Sequence, residues 1–331
     1  MTSLTNTSTL IRKLAPPVVV FVVVSLLLTL IYFRFFTKDD TKTLSLLSKP
    51  QITALPTKTT SFSTNNLKVE KTPKKLDVFI NNHDKFTEND NFTILSQFNL
   101  KNEPQPLKDV NRGEGKLFSA DKGFLIIYES TFVYQAYVDK NLGANSFNLE
   151  SLKQKSLDLF RDFGITNVSE PRTDYSRFKG EDVEKVLIPT EANFINFHYN
   201  HLLNGFKVIS NAELLTSTYD SNGSIFKLEL TRFQPGNTKG VYPLISIDKA
   251  IELLKENALL INITGTREDL TLLKTIASTD LKSAYLAYYF SYLDTDIQPV
   301  WVFEGLAKTV VGNVEVIYVT PAVDPRFFTQ P

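Results

Sequence analysis

The sequence predicts an α+β fold: duplicated modules of one helix and an antiparallel sheet follow a small β-rich subdomain, all carried on a single transmembrane helix. Three observations support this fold class. A long uncharged run lies near the N-terminus, short β-branched and aromatic segments occupy residues 77–145, and the order of one helix and then several strands occurs twice afterwards. The 331 residues, 42% of them hydrophobic, supply enough apolar surface for a packed core.

The composition excludes several classes of protein. Lysine and arginine together number 36, as do aspartate and glutamate, so no basic excess indicates nucleic-acid binding. The chain has no cysteine, which removes disulfides, thiol nucleophiles, iron–sulfur clusters and cysteine-ligated zinc. We therefore predict no nucleic-acid partner and no cofactor.

Residues 14–36 are predicted to form a transmembrane anchor that contacts membrane lipid. The uncharged part, residues 14–33, is rich in valine and leucine, and as a helix it would span about 30 Å, the thickness of bilayer hydrocarbon. Pro16 and Pro17 suit the first helical turn. A cleaved signal peptide is the alternative, but its apolar core would be shorter and would end in small residues, which this run lacks.

The lengths of the flanking segments favour one orientation. Residues 1–13 form a short head in the cytoplasm, and the long C-terminal body lies outside the membrane. Basic residues on the two sides of the span nearly balance and do not decide the orientation. An exported body without cysteine favours a bacterial envelope. The predicted localisation is therefore the cell membrane, single-pass, with an extracytoplasmic body.

Composition and periodicity divide the rest of the chain into segments. The order is a flexible linker (37–76), a β-rich subdomain (77–145), a first α+β module (146–240), a second α+β module (241–323) and a tail (324–331). The linker is rich in Thr, Ser, Lys and Pro and cannot bury enough surface to order itself. The strands predicted for the β-rich subdomain include residues 92–98.

Each module begins with a helix whose N-cap can be identified. Asn148 caps the first helix and Ser246 caps the second. Strands follow each helix, and Asn204-Gly205 predicts a hairpin turn because both residues tolerate positive φ. Over residues 194–201, apolar and polar side chains alternate, which predicts a strand with one apolar face and one polar face.

Short stretches of the C-terminal half carry a family resemblance: residues 199–208 (YNHLLNGFKV), 219–225 (YDSNGSI), 246–250 (SIDKA), and 286–289 (LAYY) leading to 298–304 (QPVWVFE). Over residues 148–323 the chain resembles the PepSY-type modules of bacterial envelope proteins. It is similar in particular to the YycH/YycI-type membrane-anchored extracytoplasmic regulatory proteins. The resemblance implies a single N-terminal anchor, an extracytoplasmic body and a non-enzymatic role of binding or restraining a partner protein.

Few residues could support chemistry. His198 and His201 are three positions apart, which places them on opposite faces of a strand, so no metal site is predicted. Asp294 and Asp296 lack the further oxygen ligands and the glycine turn of a calcium site. No nucleophile–base motif is present. We therefore predict no catalytic residue and no metal ligand.

Aromatic side chains supply the candidate binding residues. Tyr288, Trp301 and Phe303 lie on neighbouring predicted strands, where most aromatic residues belong to a core. Aromatic residues left at an edge or on a concave surface would suit the binding of a protein or peptide. We take these three as candidate partner-binding residues, and we expect the partner to be an envelope or membrane protein.

The expected function is therefore non-catalytic: a membrane-anchored extracytoplasmic protein that binds and modulates another envelope or membrane protein. One alternative is an envelope hydrolase or glycan-binding protein that uses aromatic residues and acidic residues such as Asp294, Asp296 or Glu304. A second alternative is a scaffold part of a surface appendage.

Overall fold

The computed structural model describes residues 44–100, 103–109, 112–137, 147–179, 182–264, 275–309 and 312–329. The chain divides into two units, Met1–Leu44 and Ser45–Pro331, and all helices and strands of the described residues lie in the second. Strands account for 51% of the structure and helices for 16%. The fold is therefore mainly β, and the predicted α+β class, with duplicated modules on a transmembrane helix, is wrong.

The described residues contain three helices: α1 (Glu88–Gln97), α2 (Leu149–Asp162) and α3 (Ile247–Glu256). The side chains of Asn148 and Ser246 accept hydrogen bonds from backbone N–H groups in the first turns of α2 and α3, which confirms both predicted caps. A capping box formed by Thr87 and Asp90 precedes α1. The strand predicted over residues 92–98 is therefore wrong, since residues 92–97 belong to α1.

The strands of the described residues are β1 (Lys58–Thr59), β2 (Phe62–Ser63), β3 (Lys68–Val69), β4 (Lys75–Asn81), β5 (Gln105–Asp109), β6 (Gly113–Ala120), β7 (Gly123–Tyr128), β8 (Thr131–Ala136), β9 (Arg172–Lys179), β10 (Asp182–Val186), β11 (Phe194–Tyr199), β12 (Leu202–Leu203), β13 (Phe206–Ile209), β14 (Leu215–Asp220), β15 (Ile225–Thr231), β16 (Pro235–Pro243), β17 (Leu259–Thr264), β18 (Thr275–Ile276), β19 (Ser278–Tyr289), β20 (Asp296–Thr309) and β21 (Gly312–Pro321). Short 3₁₀ turns lie at Pro189–Glu191 and Pro325–Phe327.

Nine of these strands form an antiparallel sheet, sheet A, in the order β10-β9-β11-β14-β15-β8-β7-β6-β5. Helices α1 and α2 cover one face of sheet A. Phe98, at the end of α1, stacks on Tyr134 with ring centroids 4.1 Å apart. Phe160 of α2 meets Tyr199 edge-on at 5.1 Å. The core of sheet A therefore lies between this face and the two helices.

A second sheet, sheet B, contains ten strands. Its main path is β12-β13-β19-β20-β21-β17, and β2, β3, β4 and β16 pair beside that path. On one face, Trp301, Phe303 and Tyr318 are buried with Leu254 of α3. On the other face, Ile52 packs against a second apolar cluster. Both faces of sheet B therefore carry buried apolar side chains.

The pairing of strands explains why the modular prediction is wrong. Periodicity along a sequence identifies strands but not their partners. In the structure β8 pairs with β15, so that Phe132 lies opposite Leu230. The predicted β-rich subdomain and the first predicted module therefore share sheet A, instead of forming separate layers.

Residues 44–74, which the sequence analysis assigned to a flexible linker, lie against sheet B. Leu47 is fully buried, and the N–H of Leu55 donates to the carbonyl of Leu260 at 2.7 Å. Further along the chain, β1 pairs with β18, and β2 and β3 pair with β19. Strands β2 and β3 therefore extend sheet B, whereas β1 and β18 form a separate two-stranded sheet.

Within the described residues, no helix is long and apolar enough to cross a bilayer. The longest of them, α2, has 14 residues. It therefore spans about 21 Å, against about 30 Å of bilayer hydrocarbon. This finding contradicts the predicted single-pass localisation, and the membrane assignment is not retained. The predicted anchor itself, residues 14–36, lies outside the described residues.

Candidate functional site

Polar side chains line the face of sheet A that points away from α1 and α2. In β11, Ile195 belongs to the core beneath the helices, whereas Asn196 and His198 lie on the opposite face. This confirms the alternation predicted from the sequence. Residues opposite each other in antiparallel strands share a face, so the register places Asp174 of β9 and Thr218 of β14 beside Asn196.

These polar side chains bond to one another. The side-chain amide of Asn196 donates to Asp174 Oδ1 at 2.7 Å, and Thr218 Oγ1 donates to Asn196 Oδ1 at 2.8 Å. Thr218 is buried, and its partner offsets the cost of removing its hydroxyl group from water. The network fixes the positions of polar side chains on β9, β11 and β14.

His198 is held between two carboxylates. Its Nε2 lies 3.1 Å from Asp174 Oδ2, and its Nδ1 lies 2.8 Å from Glu213 Oε1. Glu213 also accepts a hydrogen bond from Thr216 Oγ1 at 2.8 Å. Because Glu213 lies between β13 of sheet B and β14 of sheet A, the cluster forms where the chain passes from one sheet to the other.

The contacts of His198 set the charges of the cluster. Burial alone would lower the pKa of His198, but the hydrogen bonds and charges of Asp174 and Glu213 outweigh burial and raise that pKa to about 9. Burial alone would raise the pKa of Glu213, but its bond to His198 lowers the pKa to about 2. The same opposing effects lower the pKa of Asp174. At neutral pH the cluster is therefore an imidazolium between two carboxylates.

Two adjoining cavities, of about 600 and 510 Å³, lie along this face. Both are lined by Arg172 and His198, so they form one cleft. The larger cavity reaches sheet B, where Lys207 of β13, Tyr285 of β19 and Glu304 of β20 line it. Residues from both sheets therefore converge on the same cleft.

Cationic side chains outnumber carboxylates in this cleft. Among the described residues that line it, with His198 protonated, the cations are Arg172, Lys185, His198, Lys207 and Lys227. The carboxylates are Asp174, Glu213 and Glu304. Lys227 is also paired with the buried Glu229 at 3.1 Å, so one positive charge in the cleft is in excess, although the whole chain has a formal net charge of zero. We call this site the basic cleft.

Arg172 and Lys207 have no carboxylate partner among the described residues, and both side chains are exposed. Lys207 Nζ lies 5.1 Å from the centre of the Tyr285 ring, a cation–π contact. The Tyr285 hydroxyl donates to Glu304 Oε1 at 2.8 Å. Burial, followed by the charge of Glu304, raises the pKa of Tyr285. The cleft thus presents two unpaired cations beside a neutral, hydrogen-bonded tyrosine.

The structure places the predicted partner-binding residues elsewhere. Tyr288, Trp301 and Phe303 expose 0%, 2% and 0% of their surface. Trp301 Nε1 donates to the carbonyl of Ile245 at 3.2 Å, and Tyr288 meets Phe79 edge-on at 5.6 Å. Trp301 and Phe303 share the core beneath α3, whereas Tyr288 belongs to the core associated with sheet A. None of the three lines the basic cleft.

Of the acidic residues of the hydrolase alternative, Asp294 and Asp296 are neighbours, and burial, with the charge of Asp296, raises the pKa of Asp294, whereas Glu304 lies apart from both. Asp294 accepts from the N–H of Gln51 at 3.0 Å, and Asp296 pairs with Lys239 Nζ at 2.9 Å. Both aspartates are almost fully buried. Glu304 lies eight positions after Asp296 on β20, or roughly 26 Å along the strand. Only Glu304 reaches the basic cleft.

The second histidine of the predicted strand lies outside the cleft. Burial lowers the pKa of His201 to about 4, and its Nε2 lies 2.8 Å from the carbonyl oxygen of Thr231. His201 is therefore neutral near pH 7. In the part of the chain that the structure describes, no group of three or more histidine or acidic side chains could hold a metal ion.

Comparison with known proteins does not identify a family. No protein-family model matches the chain, and no curated protein matches it. The resemblance to PepSY-type and YycH/YycI-type proteins stays a prediction. The basic cleft is therefore the feature from which function is argued.

Sequence reasoning identified the polar face that carries His198 but missed the residues around it. Local periodicity does not show that β9, which carries Arg172 and Asp174, pairs with β11. Nor does it show that β13, which carries Lys207, pairs with β19. The available signal was the alternation of polar residues in β9 and β14, which predicts polar faces on those strands as well. Their register, which brings these faces together, came only from the structure.

Proposed function

We propose that this protein is a non-catalytic binding protein whose basic cleft takes an acidic segment of a partner polypeptide. The observation that carries the proposal is the excess of positive charge in the cleft, where Arg172 and Lys207 lack carboxylate partners among the described residues. The proposal keeps the binding role expected from the sequence and leaves out the membrane location.

The dimensions of the cleft suit a polypeptide segment. Its two cavities each fall in the range of about 300–1,000 Å³ that is typical of ligand sites, and they share lining residues such as Arg172, His198 and Glu213. Asn200, Asn211 and Asn262 line the larger cavity. Their amide side chains can both donate to and accept from a peptide backbone. The cations would then select acidic side chains.

The position of His198 favours binding over catalysis. A general base needs a ring nitrogen within reach of the proton that it accepts. Both nitrogens of His198 already face carboxylates, at 3.1 and 2.8 Å. The imidazolium therefore acts as a fixed positive charge that holds Asp174 and Glu213 in place.

The hydrolase alternative gains no support from the cleft. In a glycoside hydrolase the bond to be cleaved lies between two carboxyl groups. Here the imidazole ring of His198 occupies the space between Asp174 and Glu213. A general acid must also be protonated near neutral pH, whereas the pKa of each of these carboxyls is lowered by its bond to His198, against the opposing effect of burial.

Selection of random decapeptides displayed on phage, against the immobilised full-length chain, tests the proposal. We expect the enriched peptides to carry at least two acidic residues and to bind more weakly as salt rises, because exposed charge pairs are screened. The double substitution of Arg172→Ala and Lys207→Ala should raise Kd about tenfold, since an exposed charged contact contributes up to about 1 kcal/mol.

The control variant removes two other positive charges, which lie on the opposite face of sheet A. Lys153→Ala with Arg161→Ala changes two cations on α2 that pair with acidic neighbours on the same helix. We expect this variant to bind the selected peptides with unchanged Kd. Enrichment of neutral or basic peptides, or an equal loss of affinity in the control variant, would refute the proposal.

A further inference from the structure

The two edge strands of sheet A, β5 and β10, differ in their outer edges. Pro106 lies inside the β5–β6 ladder. A proline has no N–H, so within a ladder its nitrogen faces away from the paired strand. The outer edge of β5 therefore lacks the donor at Pro106, a feature that protects edges from pairing with another chain.

The edge of β10 lacks this protection, since no proline lies between Asp182 and Ile188. The carbonyl of Ser176 accepts from the N–H of Asn193 at 2.9 Å and therefore faces the β11 side of β9, so the pairs Arg177–Glu184 and Tyr175–Val186 are the hydrogen-bonded ones between β9 and β10. Hydrogen-bonded pairs then alternate along the ladder, so the N–H and carbonyl groups of Val183 and Lys185 point to the outer edge. Within the described residues, β10 pairs only with β9.

Apolar side chains are exposed on and just beyond this edge. Val183 is 49% exposed, Leu187 is 90% exposed and Ile188 is 53% exposed. Single apolar residues scattered over a protein surface are normal. Here three exposed apolar residues occur among the six residues 183–188, beside an open strand edge, and they form a patch. An open edge beside an apolar patch is typical of a site that binds another strand.

This edge opens onto the basic cleft. Val183 and Lys185 line the smaller cavity together with Arg172 and Lys227. A strand added to β10 would point every second side chain towards the cleft. The residue of the added strand opposite Lys185 would lie in a positively charged region. The residues two positions before and after it on the added strand would lie opposite Val183 and Leu187. Charge complementarity therefore selects an acidic residue at the centre and apolar residues on either side.

We infer that the partner segment binds as an added strand on β10, with an apolar-x-acidic-x-apolar pattern facing the basic cleft. The inference rests on the proposed function and specifies how the cleft holds its partner. Val186, the last residue of β10, pairs with Tyr175 of β9. Arg172 lies three residues before Tyr175 on β9, which is roughly 10 Å along the strand. A segment of about ten residues therefore reaches from β10 to Arg172.

A second copy of this chain fits the edge poorly. Two β10 strands related by a two-fold axis, in a continuous sheet, pair symmetrically about one residue. Centring on Glu184 or on Lys185 places like charges opposite each other, which destabilises the pair. Centring on Val183 places Glu184 opposite Asp182, again two like charges, and centring on Val186 places the charged Lys185 opposite the apolar Leu187. An acidic partner segment meets none of these conflicts.

Proline substitution at the two edges, with a peptide selected for the basic cleft as the probe, tests the inference. Lys185→Pro removes an outward N–H from β10, and Lys108→Pro removes the corresponding outward N–H from β5. Lys185→Gln removes the charge alone. We expect Lys185→Pro to raise Kd at least tenfold above the value for Lys185→Gln, whereas Lys108→Pro leaves Kd unchanged.

Hydrogen exchange resolved to single amides provides the readout specific to strand addition. On binding of the peptide to the full-length chain, exchange at the N–H groups of Val183 and Lys185 should slow at least tenfold, while that of Glu184, which already faces β9, should not change. If the peptide needs Arg172 and Lys207 but protects neither outward amide, strand addition is refuted and the proposed function stands. If no acidic peptide binds, or binding is independent of these cations, both are refuted.

Discussion

The substitution His198→Gln should remove a pH-dependent part of the stability of this protein. In the folded chain the hydrogen bonds and charges of Asp174 and Glu213 overcome burial and raise the pKa of His198 from 6.5 to about 9. A group whose pKa is raised by folding stabilises the folded state fully below its unfolded pKa. That contribution is lost as the pH rises through the folded pKa.

The size of the effect follows from the shift. Each pKa unit corresponds to about 1.4 kcal/mol, so a change from 6.5 to about 9 amounts to roughly 3 kcal/mol of unfolding free energy. The His198 side chain is 18% exposed, so solvent screens the interaction only in part. We expect the unfolding free energy to fall by roughly 3 kcal/mol between pH 6.5 and pH 9.

Urea unfolding of the full-length chain, followed by far-ultraviolet circular dichroism at pH 6, 7, 8 and 9, measures this slope. His198→Gln should be less stable at pH 6 and should lack the slope. His201→Gln is the matched control between pH 7 and pH 9, because the buried His201 is neutral in the folded chain and titrates only in the unfolded chain, near pH 6.5, so its loss leaves the fall in stability above pH 7 intact. An equal slope in the wild type and in His198→Gln would refute the charge assignment of the cluster.

Three further substitutions test the packing and the buried charges. Trp301→Ala should lower the unfolding free energy by about 3–5 kcal/mol, because the side chain is 2% exposed in the core beneath α3; a chemical-denaturation midpoint equal to that of the wild type would contradict this burial. Lys239→Met leaves the carboxylate of Asp296, whose side chain is 3% exposed, without its cation and should cost about 3 kcal/mol, most of which the double variant with Asp296→Ala should recover in the same assay. Gly305→Ala would place a Cβ 2.7 Å from the backbone oxygen of Asp280, so thermal unfolding should show a loss of about 1–3 kcal/mol, and an unchanged melting temperature would refute the close approach of these strands.

Local signals in the sequence predicted local features of the fold. The caps at Asn148 and Ser246 depend on one side chain and the adjacent backbone, so the sequence alone located the starts of α2 and α3. The same kind of signal was present at α1, where Thr87 and Asp90 form a capping box. The β-branched and aromatic residues between 92 and 98 outweighed it in the prediction, and packing against sheet A decided for the helix.

Features that depend on distant pairing could not be predicted. Phe132 and Leu230 face each other across β8 and β15, although nearly one hundred residues separate them, and no local pattern specifies that pair. Trp301 illustrates the same limit for burial. The alternation of residues along β20 indicates which side chains share a face with Trp301. It does not show that α3 covers that face of the sheet.

The candidate site could not be predicted from the sequence for a related reason. The alternation in β11 correctly placed His198 on a polar face, but its partners Asp174 and Glu213 come from β9 and from the connection between β13 and β14. Lys207 reaches the cleft from sheet B. The basic cleft therefore depends on how the two sheets are connected, which the composition, with its net charge of zero, does not indicate.

The central claim is that the cleft recognises acidic side chains, and the most direct measurement compares two forms of one selected peptide. Isothermal titration calorimetry of the full-length chain would give Kd for the acidic peptide and for the same peptide with every Asp and Glu replaced by Asn and Gln. We predict at least tenfold tighter binding of the acidic form by the wild type, and no such difference for the variant carrying Arg172→Ala and Lys207→Ala. Equal Kd values for the two peptides with the wild type would contradict the claim.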